Sequence, residues 1–473
     1  MERNIVGRDY EKRTLTELYQ SKQSEFVAVY GRRRVGKTFM IREMFDKKIT
    51  FDLVGLAKST LREQLINFNV TLNQISKIEN PKVKNWIEAF AQLRLFLEKS
   101  DSKRKLVFID EIPWLDTKRS GFLSALEHFW NSWGCVQNDL FLLVCGSATS
   151  WIINKLINNH GGLHNRLTAT INLHPFTLAE TQKFLKRKKI NYNVQNLSEC
   201  YMLTGGVPFY LSKMKKELSL AKNIDNMFFN KESELKFEFR NLYNSLFNDS
   251  KDYIKIVEIL SKKKKGLTRK EIAKKAKLSS GGTLTERLLN LEYCGFIRSY
   301  SIIGKEKRDT IYQLMDNFTL FYFQYMENNK FKDDHYWSNN LISAQHNAWA
   351  GNAFEMLILQ HIIEIKRALE IGGIQSAVYA WNSVVAEDGT QIDLVIDRKD
   401  GMINICEIKF TQDKFTIKKE YEAKLRHKIV TFQKETKTKK AINLILITTH
   451  GLTNNKYASI IQKTITINDI LRL

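Results

Sequence analysis

Phe26-Val-Ala-Val-Tyr-Gly-Arg-Arg-Arg-Val-Gly-Lys-Thr-Phe-Met-Ile-Arg-Glu-Met-Phe45 is the stretch on which the reading of this chain turns. Phe26 to Tyr30 is a short apolar run that predicts a buried parallel strand. Gly31 to Thr38 satisfies every fixed position of G-x-x-x-x-G-K-[ST], and Phe39 to Phe45 has the apolar spacing of a helix. Strand, glycine loop and helix is the context in which this loop wraps a phosphate chain. The glycines let backbone N–H groups curl round the phosphates, Lys37 reaches the β- and γ-phosphates, and the Thr38 hydroxyl ligates Mg²⁺. The start of the helix adds partial positive charge. The expected ligand is ATP with Mg²⁺, held by Gly31, Arg32, Arg33, Arg34, Val35, Gly36, Lys37, Thr38 and Phe39.

Working outward, Lys105 to Ile109 is a second apolar strand, and it ends in Asp110-Glu111. An acidic residue at the tip of a buried strand is costly unless it serves a cation. Asp110 is expected in the Mg²⁺ shell and Glu111 beside the attacking water. The alternative is an ordinary acidic pair capping the next helix. A third strand, Leu140 to Cys145, runs into Gly146-Ser147-Ala148. Ser147 either senses the γ-phosphate or caps the helix that follows.

These segments fall in a recognisable order: Ile5-Val-Gly-Arg8, the Gly31–Thr38 loop, Asp110-Glu111, Cys145-Gly-Ser-Ala148, Arg166 in Leu163-His-Asn-Arg-Leu, and Thr204-Gly-Gly-Val-Pro208. In this order they resemble the prokaryotic "archaeal ATPase" group of AAA+/STAND-type P-loop ATPases, over about the first half of the chain. The resemblance implies that Ile5, Val6, Gly7 and Arg8 lie against the adenine. It implies that Arg166 acts as an arginine finger towards a neighbouring subunit, and that the turn ending at Pro208 sits near the nucleotide. On its own, Arg166 reads equally as a solvated surface arginine.

The whole chain sets bounds on the rest. Its 473 residues are too many for one core, and domains of about 100–200 residues imply two to four. A hydrophobic content of 43% supports packed cores. The formal net charge of +23 favours a polyanion, nucleic acid first and an anionic membrane surface second, unless lysine serves only solubility. The five cysteines form no C-x-x-C pair and read as reduced, buried thiols, neither zinc ligands nor a disulfide framework. With no apolar leader and no apolar run of about 18 residues, the expected location is cytoplasmic, with no membrane partner.

The middle of the chain reads as a winged helix. Ile254 to Leu260 has helical spacing, Thr268 with Glu271 is a capping box, and Leu284 to Leu291 is a second helix. Phe296 to Ile302 and Asp309 to Leu314 read as strands around the basic turn Gly304 to Arg308. This order suits DNA binding, with phosphate contacts from Lys262 to Lys265 and Lys305 to Arg308, and with Thr283, Thr285 and Arg287 near a groove. The same module also serves as a lid or a protein-docking element. Met315 to Phe323 is expected to pack as core.

Towards the end, Gly351 to Leu359 opens an amphipathic helix carrying Glu355. Gln391 to Asp397 and Met402 to Phe410 read as a hairpin across the turn Arg398 to Gly401. Glu407 and Lys409 share a face, and the hairpin brings Asp393 to them. Carboxylates and a lysine on one face suit Mg²⁺ binding and activation of a water for phosphodiester hydrolysis. A basic helix from Thr416 to Lys437 and a strand from Ala441 to Ile447 complete an order that resembles the PD-(D/E)XK nuclease superfamily. The resemblance implies Asp393 and Glu407 as metal ligands, Lys409 as the residue placing water or charge, and Glu355 as a supporting carboxylate. Some domains of this fold only bind or scaffold.

The expected architecture is an α/β P-loop ATPase core over residues 1–175, a helical lid over 176–245, a winged helix-turn-helix over 246–320, and an α/β restriction-endonuclease-like domain over 321–473. The expected function is an Mg-ATP-hydrolysing AAA+-like ATPase that controls DNA binding, or metal-dependent DNA cleavage, by the C-terminal domain. The expected partners are DNA, a homo-oligomer with shared ATP sites, or a protein. The alternative is an ATP-driven STAND-type switch, or a DNA-binding regulator whose end domain does not cut.

Overall fold

The computed structural model describes residues 5–158, 161–163, 165–247, 249–300, 310–327, 329, 333–383 and 390–472. They form two units, Met1–His174 and Pro175–Leu473.

In the first unit the apolar run forms β1 (Glu25–Tyr30), followed by β2 (Ile49–Val54), β3 (Lys105–Asp110), β4 (Leu140–Gly146) and β5 (Ala169–Asn172). The sheet order is β2-β3-β4-β1-β5, and every neighbouring pair is parallel. A parallel sheet must be covered on both faces, which is why β1 is apolar at every position from Phe26 to Val29. Phe26 and Ala28 face a core built with the helices Leu61–Ser76, Trp86–Glu98 and Phe122–Ser132. Its aromatic centre includes Trp86 edge-on to Phe122, ring centroids 5.0 Å apart. Val27 and Val29 face the opposite core, where the helices Asp9–Gln20 and Lys37–Phe45 bring Leu15, Met40, Ile41 and Phe45. Parallel strands place all their C-terminal ends on one edge, so the glycine loop after β1 and Asp110 at the end of β3 emerge together.

The second unit begins with the helices Leu178–Arg187, Val194–Thr204 and Pro208–Ser212. After the helices Leu220–Ile224 and Glu238–Leu246 come the helix Ser250–Ser261, the short strand β6 (Leu267–Thr268), the helices Arg269–Ala276 and Gly282–Tyr293, and strands β7 (Ile297–Tyr300) and β8 (Ile311–Leu314). These strands make an antiparallel sheet of order β6-β8-β7. Thr268 caps its helix through the expected reciprocal bonds with Glu271. The expected basic turn, Lys305 to Arg308, lies outside the described residues. Asn317, Phe318, Thr319, Leu320 and Phe321 form a short, fully buried helix.

A third sheet has the order β13-β12-β11-β10-β9. Its strands are β9 (Ser376–Asn382), β10 (Gln391–Arg398), β11 (Met402–Lys409), β12 (Ala441–Thr448) and β13 (Lys463–Thr466). The β9–β10 and β10–β11 pairs are antiparallel, and the other two are parallel. The parallel step from β11 to β12 needs a crossover, supplied by the helix Lys419–Thr436. That helix buries Leu425 and Phe432 against Trp381, Val395, Ile405 and Leu444. The helix carrying Glu355 spans Ala344–Gln360, starting seven residues before the stretch that marks it in sequence, because Ser343 caps it.

Four cysteines are buried free thiols, but Cys135 is exposed, contrary to the expectation for all five. It sits in the turn Gly134–Val136 leading to β4, which faces outward.

Leu425→Ala is expected to destabilise the second unit by about 2–5 kcal/mol, because it empties a filled core site. Val430→Ala, on the exposed side of the same helix, is expected to stay within about 0.5 kcal/mol. Urea unfolding followed by circular dichroism measures the difference.

Candidate functional site

At the C-terminal edge of the first sheet, Gly31 holds φ 140° and lies so close to β5 that a Cβ there would meet the Leu173 carbonyl oxygen at 2.2 Å. Gly36 holds φ 90° and starts the helix as its cap, and Arg34 is also left-handed, at φ 76°. The loop thus turns its backbone N–H groups inward at the mouth of a helix, the geometry that suits a phosphate. Lys37 is buried, and its ammonium donates to the carbonyls of Gly31 (2.8 Å) and Arg32 (3.0 Å). Arg32 is buried, Arg33 and Val35 line the loop, and Phe39 is about half exposed on the helix.

Asp110 is buried at the end of β3, and its Oδ2 accepts a 2.7 Å hydrogen bond from the Thr38 hydroxyl. Its other oxygen accepts the Glu111 N–H at 2.9 Å. Glu111 itself has φ 47°, and its Oε2 accepts both the Ser147 hydroxyl (2.9 Å) and the Ser147 N–H (3.1 Å). Of the two uses expected for Ser147, helix capping is not what the hydroxyl does: the next helix starts at Thr149 with Ala148 before it. A hydroxyl and a carboxylate side by side are the oxygen donors Mg²⁺ takes, one or two protein groups sufficing when phosphates supply the rest. The residues therefore fit a Mg-nucleotide.

Arg8 is buried at φ 59°, and its guanidinium donates to the His174 carbonyl at 2.5 Å. Ile5 is core, and Val6 and Gly7 lead into this turn. Arg166 is exposed, on the segment before β5. Pro208 lies in the second unit, as the first residue of a helix that follows the left-handed pair Gly205 and Gly206.

The second constellation lies on the third sheet. The β10–β11 ladder pairs Leu394 with Cys406, and one step further along both strands sets Asp393 opposite Glu407. Glu407 is buried, and Lys409 (3.0 Å), Lys428 (2.7 Å) and the Tyr421 hydroxyl all contact its carboxylate. Burial alone raises its pKa, but the two lysines and the hydrogen bonds from Lys428 and Tyr421 outweigh that and hold it down at about 2. Lys428 and Tyr421 were not singled out from the sequence. Tyr421, Leu425 and Lys428 are spaced four and three apart, one helix face, and that spacing is a usable signal.

Glu355 is also buried, and its carboxyl lies near that of Asp393. Both face Lys264, whose ammonium contacts Glu355 and lies 3.6 Å from Asp393. Burial, then the Asp393 charge, push the Glu355 carboxyl up to about 8 against the pull of Lys264. Among the described residues no group of three or more His, Cys, Asp or Glu side chains is placed to hold a metal ion. The carboxylates are of the oxygen type a hard cation takes, yet each is met by an ammonium group.

Not all of the lysine run points outward to phosphate: Lys264 contacts Glu355 and lies near Asp393, and Lys262 pairs with Glu258 at 2.6 Å. Arg287, expected near a groove, is drawn instead to Asp252 at 2.9 Å, while Thr283 and Thr285 are exposed. No helix among the described residues is long and apolar enough to cross a membrane.

Residues 5–214 match the family model described as an ATPase domain predominantly from Archaea. An uncharacterised protein of Methanocaldococcus jannaschii is 25% identical over 366 residues, which cover 77% of this chain and 78% of that protein. Among solved structures, the Walker-type ATPase of Pyrococcus abyssi is similar at 17% identity and TM-score 0.47, over 68% of this chain and 96% of that one. The Aeropyrum pernix ORC2 protein, solved as ADPNP–ADP complexes, is similar at 13% identity and TM-score 0.40, over 76% and 97%. Thermotoga maritima RuvB, a Holliday junction branch migration motor, is similar at 12% identity and TM-score 0.35, over 65% and 92%. The match over residues 5–214, on a parallel sheet with a phosphate loop at its C-terminal edge, supports ATP binding and hydrolysis by this part of the chain.

Proposed function

We propose that ATP hydrolysis in the first unit controls the engagement of DNA by the second, and that the Asp393–Glu407–Lys409 constellation cuts it. The observation that carries the reading is the meeting of Glu407, Lys409 and the opposing Asp393 on one sheet of a chain with net charge +23.

In the ATPase, Lys37 offsets charge on the β- and γ-phosphates. Glu111 accepts a hydrogen bond from the attacking water, and Ser147 holds the Glu111 carboxylate in one orientation. Thr38 and Asp110 are the residues that would hold Mg²⁺, which screens the phosphate charge when bound. Arg166 would complete a neighbouring subunit's site, and Val6 to Arg8 would border the base. In the second unit Asp393 and Glu407 are the residues that would hold a divalent cation, which supplies charge neutralisation for phosphodiester hydrolysis. Lys409 orients the attacking water or the phosphate oxygen. The three helices and antiparallel sheet of residues 250–314 support a winged-helix reading with exposed Thr283 and Thr285 towards DNA.

A second reading is favoured by one observation: the carboxylates are neutralised by Lys264, Lys409 and Lys428. The end domain would then bind or scaffold, and the chain would be an ATP-driven switch that docks a protein.

Lys37→Ala removes charge-assisted contacts of about 1.5–3 kcal/mol, so fluorescent ATP-analogue binding is expected to weaken roughly 10- to 100-fold. Ser147→Ala is expected to lower kcat of ATP hydrolysis by roughly 10-fold with KM unchanged, because it loosens Glu111 without touching nucleotide. Plasmid and linear DNA incubated with Mg²⁺, with and without ATP, are expected to be cut by the wild type. Glu407→Ala and Lys409→Ala should lose cutting and keep ATP hydrolysis. Wild-type protein that neither binds nor cuts DNA overturns the proposal, and a log affinity that does not change with log salt favours the protein-docking switch.

A further inference from the structure

We infer that Lys264 is an internal cation that holds Asp393, together with the supporting Glu355, against a divalent ion, so that the site loads only when the segment between helix Ser250–Ser261 and β6 withdraws this lysine. The inference rests on the reading of Asp393, Glu407 and Lys409 as a metal-dependent site.

Two features make Lys264 a latch more than a surface lysine. The first is how its backbone is held. Gln313 on β8 donates to the Lys264 carbonyl at 2.8 Å, and the Tyr300 hydroxyl on β7 donates to the Lys265 carbonyl at 2.7 Å. Gly266 closes the turn at φ 74°, with its N–H bonded to the Lys263 carbonyl at 2.8 Å. A Cβ on Gly266 would meet the Tyr312 carbonyl oxygen at 2.4 Å, so the turn lies directly on β8. Any displacement of the β7–β8 pair therefore carries Lys264 with it.

The second feature is the asymmetry of burial. The Glu355 side chain is 4% exposed, whereas the Lys264 side chain is 45% exposed. Glu355 is fixed inside and Asp393 is partly exposed, while the lysine reaches both from the solvent side, so it can leave without unpacking a core. A buried carboxyl beside a partly buried one is costly to ionise without a positive charge nearby. A divalent ion supplies twice the charge of an ammonium to the same oxygens, so the two compete, and by linkage whatever frees Lys264 tightens metal binding.

The test is calorimetric titration of nucleotide-free, full-length protein with Mn²⁺. The Asp393→Asn variant isolates heat that belongs to this site. Lys264→Ala and Lys264→Gln are both expected to bind Mn²⁺ at least about tenfold more tightly than wild type. Lys264→Arg, which keeps the charge, is expected to bind near the wild-type level. In wild type, Mn²⁺ is expected to raise amide exchange over residues 263–268. Equal Asp393-dependent affinity in wild type, Lys264→Ala and Lys264→Gln overturns the latch and leaves the metal site standing. Absence of Asp393-dependent Mn²⁺ binding in all of them overturns the metal-site reading, and the latch with it.

Discussion

The hydrogen bond from Thr38 to Asp110 ties together the parts on which the first unit depends. Thr38 opens the helix after β1, Asp110 ends β3, and β4 lies between those strands. A carboxylate buried at a strand end is costly when unpaired. The cost is offset here by the Thr38 hydroxyl and by the Glu111 N–H. The same end of β3 turns sharply into Glu111, and β4 delivers Ser147 to it. One sheet edge thus sets loop, acid and the acid's support in mutual register, and the apolar faces of β1, β3 and β4 keep that register rigid.

The second unit meets the same constraint with lysine. Glu407 lies between Lys409, two residues along its own strand, and Lys428, from the crossover helix. Glu355 and Asp393 share Lys264 from a distant part of the chain. In each case a buried carboxyl is met by a cation from a different element, so electrostatics adds to the packing that joins those elements. In the phosphate loop, by contrast, the ammonium of Lys37 meets backbone carbonyls and, among the described residues, no carboxylate.

Much of this was legible in the sequence, for identifiable reasons. Strand β1, the glycine loop and its helix were readable because each carries a strong local signal that the others reinforce. The antiparallel pairing of β10 with β11 followed from period-two spacing on either side of Arg398 to Gly401. Strands β2, β5, β9 and β13 were not read, because they are short or mix polar residues into half-covered positions. Ile49-Thr-Phe-Asp-Leu-Val54 is an example, an edge strand whose Asp52 pairs with Arg42. Lys264 was illegible for another reason: within four consecutive lysines nothing local marks the one that turns inward, since a buried carboxyl ninety residues away decides it. The role of Ser147 likewise depends on a partner across the sheet.

Glu111 carries a consequence of its own. Its backbone is left-handed, a conformation that costs a side chain with a Cβ about 1 kcal/mol or more and that glycine and asparagine adopt more readily. Drift at this codon towards either residue would relieve the backbone while leaving the Ser147 hydroxyl and N–H without their acceptor. If Glu111 has the role proposed for it, selection for durability alone would favour its loss, and a glutamate kept there in other copies of this chain would mark use of the carboxylate.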